Sequence, residues 1–170
     1  HELIEPLRYP ADGLDAASLT ALRRMKARVE SERMPRGVAP ARHLKLGRGG
    51  LADVEFTAQL LQLRFAGRHE SLRTTSTPGA IEAAAGAGLL SREQADELVA
   101  AWSLASRARD AVMLVTGRAT KSDVLPKPGR ELAVISRVLG YAAGTSLDFE
   151  EDYLRSARRA RKVVEAVFFG

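Results

Sequence analysis

The sequence predicts an all-α fold, a bundle of five or six helices behind an extended N-terminal lead-in. Three observations predict it. Apolar residues recur at steps of three and four, no segment alternates apolar and polar residues with period two, and helix-starting and helix-stopping residues punctuate the chain at short intervals. The 170 residues, 45% of them hydrophobic, suffice for one domain with a sizeable core and exclude a wholly disordered chain. There is no internal repeat and no low-complexity tract.

Residues 1–14 contain Pro6, Pro10 and Gly13 and read as the lead-in, the tail of a preceding domain, with residues 15–170 forming the helical domain. Asp15 or Ser18 caps a first helix running to about Met34, whose inward stripe is Leu19, Leu22, Met25 and Val29. Pro35, Gly37 and Pro40 end it. The glycine-rich turn His43-Leu44-Lys45-Leu46-Gly47-Arg48-Gly49-Gly50 leads into a second helix over 51–66. Val54, Ala58, Leu61 and Phe65 line one side of that helix, and Phe56, Leu60 and Leu63 the other, so it is sandwiched and central.

Thr77 before Pro78 marks a short Ala-rich helix stopping at Gly86 or Gly88. Ser91 with Gln94 is a capping-box pattern for a long helix to Thr116, closed by Gly117, with Ala95, Leu98, Trp102, Ala105, Val112 and Val115 inward. Residues 121–129, with two prolines, form a loop. A short helix follows over 130–139 with Gly140 as its stop, and Ser146 caps a last helix over 147–168. Tyr153, Ala157, Ala160, Val164 and Val167 share one sector of that helix, opposite Arg155, Arg158, Arg159 and Lys162.

Composition removes several function classes. The absence of cysteine excludes disulfides, thiolate catalysis and the common zinc sites, and three histidines (His1, His43, His69) leave no H-E-x-x-H spacing. No stretch is apolar enough to span a bilayer and no leader pattern opens the chain; a first residue of His rather than Met is what a piece of a longer polypeptide would show. The net charge of +5 favours acidic or phosphate-bearing partners. That excess is local: residues 23–48 carry nine Lys or Arg against two Glu, a net of +7, which leaves the rest of the chain at −2. Aromatics are only 5% of the chain and none lies in this stretch, so nucleic-acid binding is not the expected use of the charge.

The glycine turn is the most informative candidate site. Lys45, Gly47, Arg48, Gly49 and Gly50 precede a helix start, where unpaired backbone N–H groups and the dipole favour an anion. The alternative is a tight turn that packs two helices. It is not a Walker loop, because no G-K-[ST] follows and no strand precedes. Asp53 and Glu55 open the second helix but diverge by about 200°, so they do not share a metal ion; Asp53 suits a cap or dipole partner. Arg109 lies in register with Trp102 and Ala105, and an inward arginine needs a carboxylate or phosphate partner. Gly144-Thr145-Ser146 with Asp148 and Asp152 does not supply two metal-binding carboxylates one residue apart on a strand.

Taken together, Arg23-Arg24-Met25-Lys26-Ala27-Arg28-Val29-Glu30, Pro35-Arg36-Gly37, the block from His43 to Phe56, Leu72-Arg73-Thr74-Thr75, Ala101-Trp102 and Glu151-Asp152-Tyr153-Leu154-Arg155 resemble the glutamine synthetase adenylyltransferase/adenylyl-removing enzyme family. The related uridylyltransferases acting on the PII signalling protein share versions of the glycine block. The resemblance covers nearly the whole chain and implies the C-terminal helical domain that follows a second nucleotidyltransferase domain. It implies a cytoplasmic parent enzyme that moves AMP from ATP to a tyrosine of glutamine synthetase with magnesium. The family's catalytic carboxylates have no counterpart here, so neither ATP nor magnesium is expected on this segment and no residue of it is expected to be catalytic. Implied partners are the catalytic domains of the same chain, glutamine synthetase and the PII protein. Within that reading Lys45, Gly47, Arg48, Gly49, Gly50, Asp53, Glu55 and Arg109 are candidates for a phosphate or inter-domain contact. Arg155, Arg158, Arg159 and Lys162 are candidates for docking a partner, the second reading of the chain's role.

Overall fold

In a computed structural model, the structure describes residues 8–117 and 123–170. Residues 1–7 of the expected lead-in, and the expected loop ahead of Asp123, lie outside the described residues. The fold is all-α. Among the described residues six helices follow in order: α1 (Ala16–Glu32), α2 (Leu51–Phe65), α3 (Thr77–Gly86), α4 (Arg92–Thr116), α5 (Arg130–Val138) and α6 (Ser146–Val164). A π-type turn, Glu165–Phe169, ends the chain's regular structure. The one extended pairing among the described residues is an antiparallel bridge between His43 and Val124, which ties the segment before α2 to the loop before α5.

Local chemistry sets most helix ends. Asp15 accepts from the Ser18 amide at 2.6 Å and starts α1. Ser91 and Gln94 form the expected reciprocal capping box, and Gly117 closes α4 at φ +63°. Two starts differ from expectation. Ser76, rather than Thr77, caps α3, accepting from the Gly79 amide at 3.1 Å. Ser146 is already helical, and Thr145, which precedes α6, makes no side-chain cap; its hydroxyl donates back to the Ala142 carbonyl at 3.0 Å.

The core divides into two apolar clusters strung along α4 and α6. The first half of α4 (Ala95, Leu98, Ala101) meets α2, α3 and the end of α6. The second half (Ala105, Ala108, Val112) meets α5 and the start of α6 through Leu132, Ile135 and Phe149. Trp102 packs against both clusters and marks the division. α6 crosses from one to the other, burying Tyr153 and Ala157 in the second and Ala160, Val163 and Val164 in the first. The sandwiched α2 is as expected, with Val54, Ala58, Leu60 and Leu61 all buried.

α1 departs from its expected packing. Met25 is 46% exposed, and the single buried residue of the helix is Lys26, at 1%. Leu19 and Leu22 are half-buried against the first cluster. The chain end departs too: α6 stops at Val164, and the wider turn seats Phe168 in the core, edge-on to Phe56 with ring centroids 6.4 Å apart.

Gly49 joins α2 to α6. It sits at φ +74°, and a Cβ there would lie 1.9 Å from the Ala157 carbonyl oxygen, so the turn and α6 touch backbone to backbone. Gly49→Ala should therefore destabilise the chain by about 3 kcal/mol in urea titration, from overpacking and a strained φ together. Gly86→Ala, at a helical position with no atom within 4 Å of the new methyl, should be neutral or stabilise by up to about 1 kcal/mol.

Candidate functional site

The expected open amides at the start of α2 are not present, because the turn closes its own hydrogen bonds. Leu46 N–H donates to His43 Nδ1 at 3.1 Å, Gly47 N–H to the His43 carbonyl at 2.8 Å, and Gly50 N–H to the Gly47 carbonyl at 2.9 Å. The first amides of the helix, on Leu51 and Ala52, donate to the carbonyls of Leu44 and Lys45 at 3.0 and 2.9 Å. Gly49 N–H donates to Asp53 Oδ2 at 2.7 Å. The anion that the helix start attracts is thus a side chain of the helix itself. Added Cβ atoms at Gly47 and Gly50 would meet carbonyl oxygens at 2.4 and 2.6 Å, so both glycines serve the same tight packing.

Asp53 is a buried carboxylate with three donors. Its Oδ1 accepts from the Lys26 ammonium at 2.5 Å, and its Oδ2 accepts from Arg161 at 3.0 Å beside the Gly49 amide. Burial pushes its carboxyl up, but the Lys26 ammonium, the Gly49 amide and the Arg161 guanidinium outweigh it and hold the pKa below the ordinary carboxylate range. Glu30 accepts from Lys26 and from Arg161, the latter at 3.2 Å, and Glu165 accepts from Arg161 at 2.8 Å. Three rings enclose the ammonium: Phe56, Phe168 and Phe169 have centroids 5.7, 5.6 and 5.7 Å from Nζ. Lys26 stands outside the stripe of Leu19, Leu22, Met25 and Val29 that the sequence sets inward, yet it is the buried residue; of its basic neighbours Arg24 and Arg28 are exposed, while Arg23 donates to the Phe168 carbonyl at 2.7 Å. Part of the signal is in the sequence, since Lys26 stands four residues after Leu22 and seven after Leu19, in apolar register; that an acidic helix start lies opposite is set by the fold. Arg161 carries a weaker signal, four residues after the inward Ala157 but amid the other cations of α6.

The remaining candidates are dispersed. Lys45 and Arg48 are exposed on the turn and make no ion pair among the described residues. Glu55 is half-buried. Arg109 has a carboxylate partner, Asp123, at 2.6 Å, which fastens α4 to the loop bridged to His43. Burial pushes the His43 imidazole down despite the nearby Asp123. On α6, Arg155 is held by Glu151 and Asp152 at 2.8 and 3.4 Å, whereas Arg158, Arg159 and Lys162 are exposed without an ion pair among the described residues.

A family model described as GlnD PII-uridylyltransferase matches residues 23–168, from the middle of α1 to the seated Phe168. The chain belongs to that family. Among curated proteins it is 54% identical, over 99% of its length, to a bifunctional glutamine synthetase adenylyltransferase/adenylyl-removing enzyme of Streptomyces avermitilis. Enzymes of the same description from Streptomyces coelicolor and Cutibacterium acnes are 54% and 51% identical over 99% of the chain. The chain spans 17% of the length of each of these relatives.

Asp53 spends both oxygens on Lys26, Arg161 and Gly49, and no three His, Asp or Glu side chains converge as a metal site among the described residues. No described helix is long and apolar enough to cross a membrane.

Removing the Asp53 charge leaves Lys26 buried without its main partner, so Asp53→Asn should cost about 3 kcal/mol near pH 7, read from urea midpoints. The folded carboxyl titrates below its unfolded value of 3.8, so its contribution is complete above that value and is lost as pH falls through the lower folded one. The gap between wild type and Asp53→Asn should therefore narrow steadily below about pH 4.

Proposed function

We propose that the chain is the helical domain of a bifunctional glutamine synthetase adenylyltransferase/adenylyl-removing enzyme, carried in a longer cytoplasmic polypeptide behind a nucleotidyltransferase domain. The observation that carries the reading is the 54% identity to the Streptomyces avermitilis enzyme across 99% of the chain. In the parent, the tyrosine oxygen of glutamine synthetase attacks the α-phosphorus of ATP and pyrophosphate leaves, with ATP and magnesium held on the catalytic domain. This domain contributes no catalytic group. Its part is to hold the glycine turn rigid, so that the exposed Lys45 and Arg48 side chains meet a phosphate or an acidic surface of the catalytic domain. The closed amides of the turn support a side-chain contact rather than a backbone cradle.

A second reading rests on Arg158, Arg159 and Lys162, exposed on α6 without an ion pair among the described residues: the same domain docks glutamine synthetase or the PII protein through this face. Docking of that kind weakens steeply with salt.

In the parent enzyme, Lys45→Ala with Arg48→Ala should lower AMP incorporation into glutamine synthetase about tenfold or more, the loss of charge-assisted contacts. Unchanged steady-state kinetics would remove the turn from the reaction. The 170-residue chain alone should incorporate no label from ATP; incorporation would overturn the assignment of chemistry to another domain.

A further inference from the structure

The first helix is attached to the bundle in an unusual way. Helices of small domains dock by burying an apolar stripe, yet the one buried residue of α1 is Lys26. Among the described residues the α1 backbone makes no extended close approach to another helix. Beside the half-buried Leu19 and Leu22, which rest on the first cluster, what joins them is long polar side chains: Lys26 to Asp53 at 2.5 Å, Arg23 to the Phe168 carbonyl at 2.7 Å, and Glu30 to Arg161 at 3.2 Å. Met25, which would have completed an apolar stripe with Leu22 and Val29, is 46% exposed. The segment that leaves α1 contains Gly37 at φ +79° with no neighbour within 4 Å of an added Cβ, an open joint in the chain.

We propose that α1 is a hinged arm latched to the bundle by Lys26, seated among Asp53, Glu30 and the rings of Phe56, Phe168 and Phe169, and that opening the latch loosens the glycine turn in the same step. The coupling follows from one shared group. The carboxylate that receives Lys26 on Oδ1 holds the Gly49 amide on Oδ2, and Gly49 is the residue whose backbone lies against Ala157 of α6. When Lys26 withdraws, Asp53 keeps only Arg161 and the amide, and Arg161 is itself divided between Asp53, Glu30 and Glu165. The carboxylate then competes for solvent and for Arg161, and its grip on the turn weakens. A released arm of 17 residues with no apolar partner is too short to stay fully helical in water, so its amides exchange. The inference does not depend on the adenylyltransferase reading and is tested without any enzyme assay, so each can fail alone.

Native-state hydrogen exchange of the full chain, followed by mass spectrometry at rising sub-denaturing urea, tests it. Amides of 16–32 should exchange at least about tenfold faster than those of the α4 core and with little urea dependence, the mark of a local opening. Lys26→Met removes the charge and keeps an unbranched apolar side chain, one atom shorter, against the rings. It should speed exchange of 16–32 and of 49–52 about tenfold or more beyond any increase that α4 shows through lost global stability. The proposal is overturned if wild-type 16–32 exchanges only with the urea-dependent opening of α4, or if Lys26→Met raises exchange at 49–52 no more than in α4. Should Lys26→Met not fold, wild-type exchange still decides the arm, and Lys26→Arg, which keeps the charge but misfits the socket, decides the coupling through the same amides.

Discussion

One buried carboxylate organises this domain. Asp53 stands in the first turn of α2, where the helix dipole favours negative charge, and it is satisfied by a cation from α1, a cation from α6 and an amide of the glycine turn. A lone charge at that depth would be expensive. With its donors in place it becomes the point at which four separate pieces of chain agree on a geometry. Each partner is itself fixed by something nearby: Lys26 by three phenylalanine rings, Arg161 by Glu30 and Glu165, and Gly49 by the α6 backbone.

The glycine block takes its meaning from that arrangement. Glycines before a helix suggest a phosphate cradle, but here they let carbonyl oxygens close on the backbone at distances no side chain would permit. The block is a joint between α2 and α6, with its hydrogen bonds spent internally. What it leaves to solvent is charge, on Lys45 and Arg48. On the proposed reading, a rigid joint that displays two cations without an ion pair among the described residues suits a domain that meets neighbours within one polypeptide, as relatives about six times longer would provide. That is why side chains rather than amides carry the functional proposal.

Much of the fold was legible because helix ends are local. The Ser91 and Gln94 box, the Gly117 stop and the Asp15 cap each depend on residues within four positions of one another. The larger failures are tertiary. Met25 and Lys26 exchange their expected places because an acidic helix start and aromatic faces lie opposite α1, which one helix's periodicity does not reveal. α6 ends at Val164 because Phe168 is drawn to Phe56 more than a hundred residues away. The smaller ones are local shifts of one residue, Ser76 in place of Thr77 and a helix that already includes Ser146. Of the site, the turn and the first-turn role of Asp53 were readable. The closure of the amides and the identity of the cations were not, since both depend on α1 and α6 arriving together.

A thermodynamic cycle built from Lys26→Met, Asp53→Asn and the double variant, each unfolded in urea near neutral pH, asks whether this carboxylate and this ammonium depend on one another. The account predicts that the double variant is more stable than the sum of the single losses implies, by about 2 kcal/mol or more. Losses that add to within about 0.5 kcal/mol would mean that the two charges are buried side by side without sustaining each other, and would contradict the central role given to Asp53.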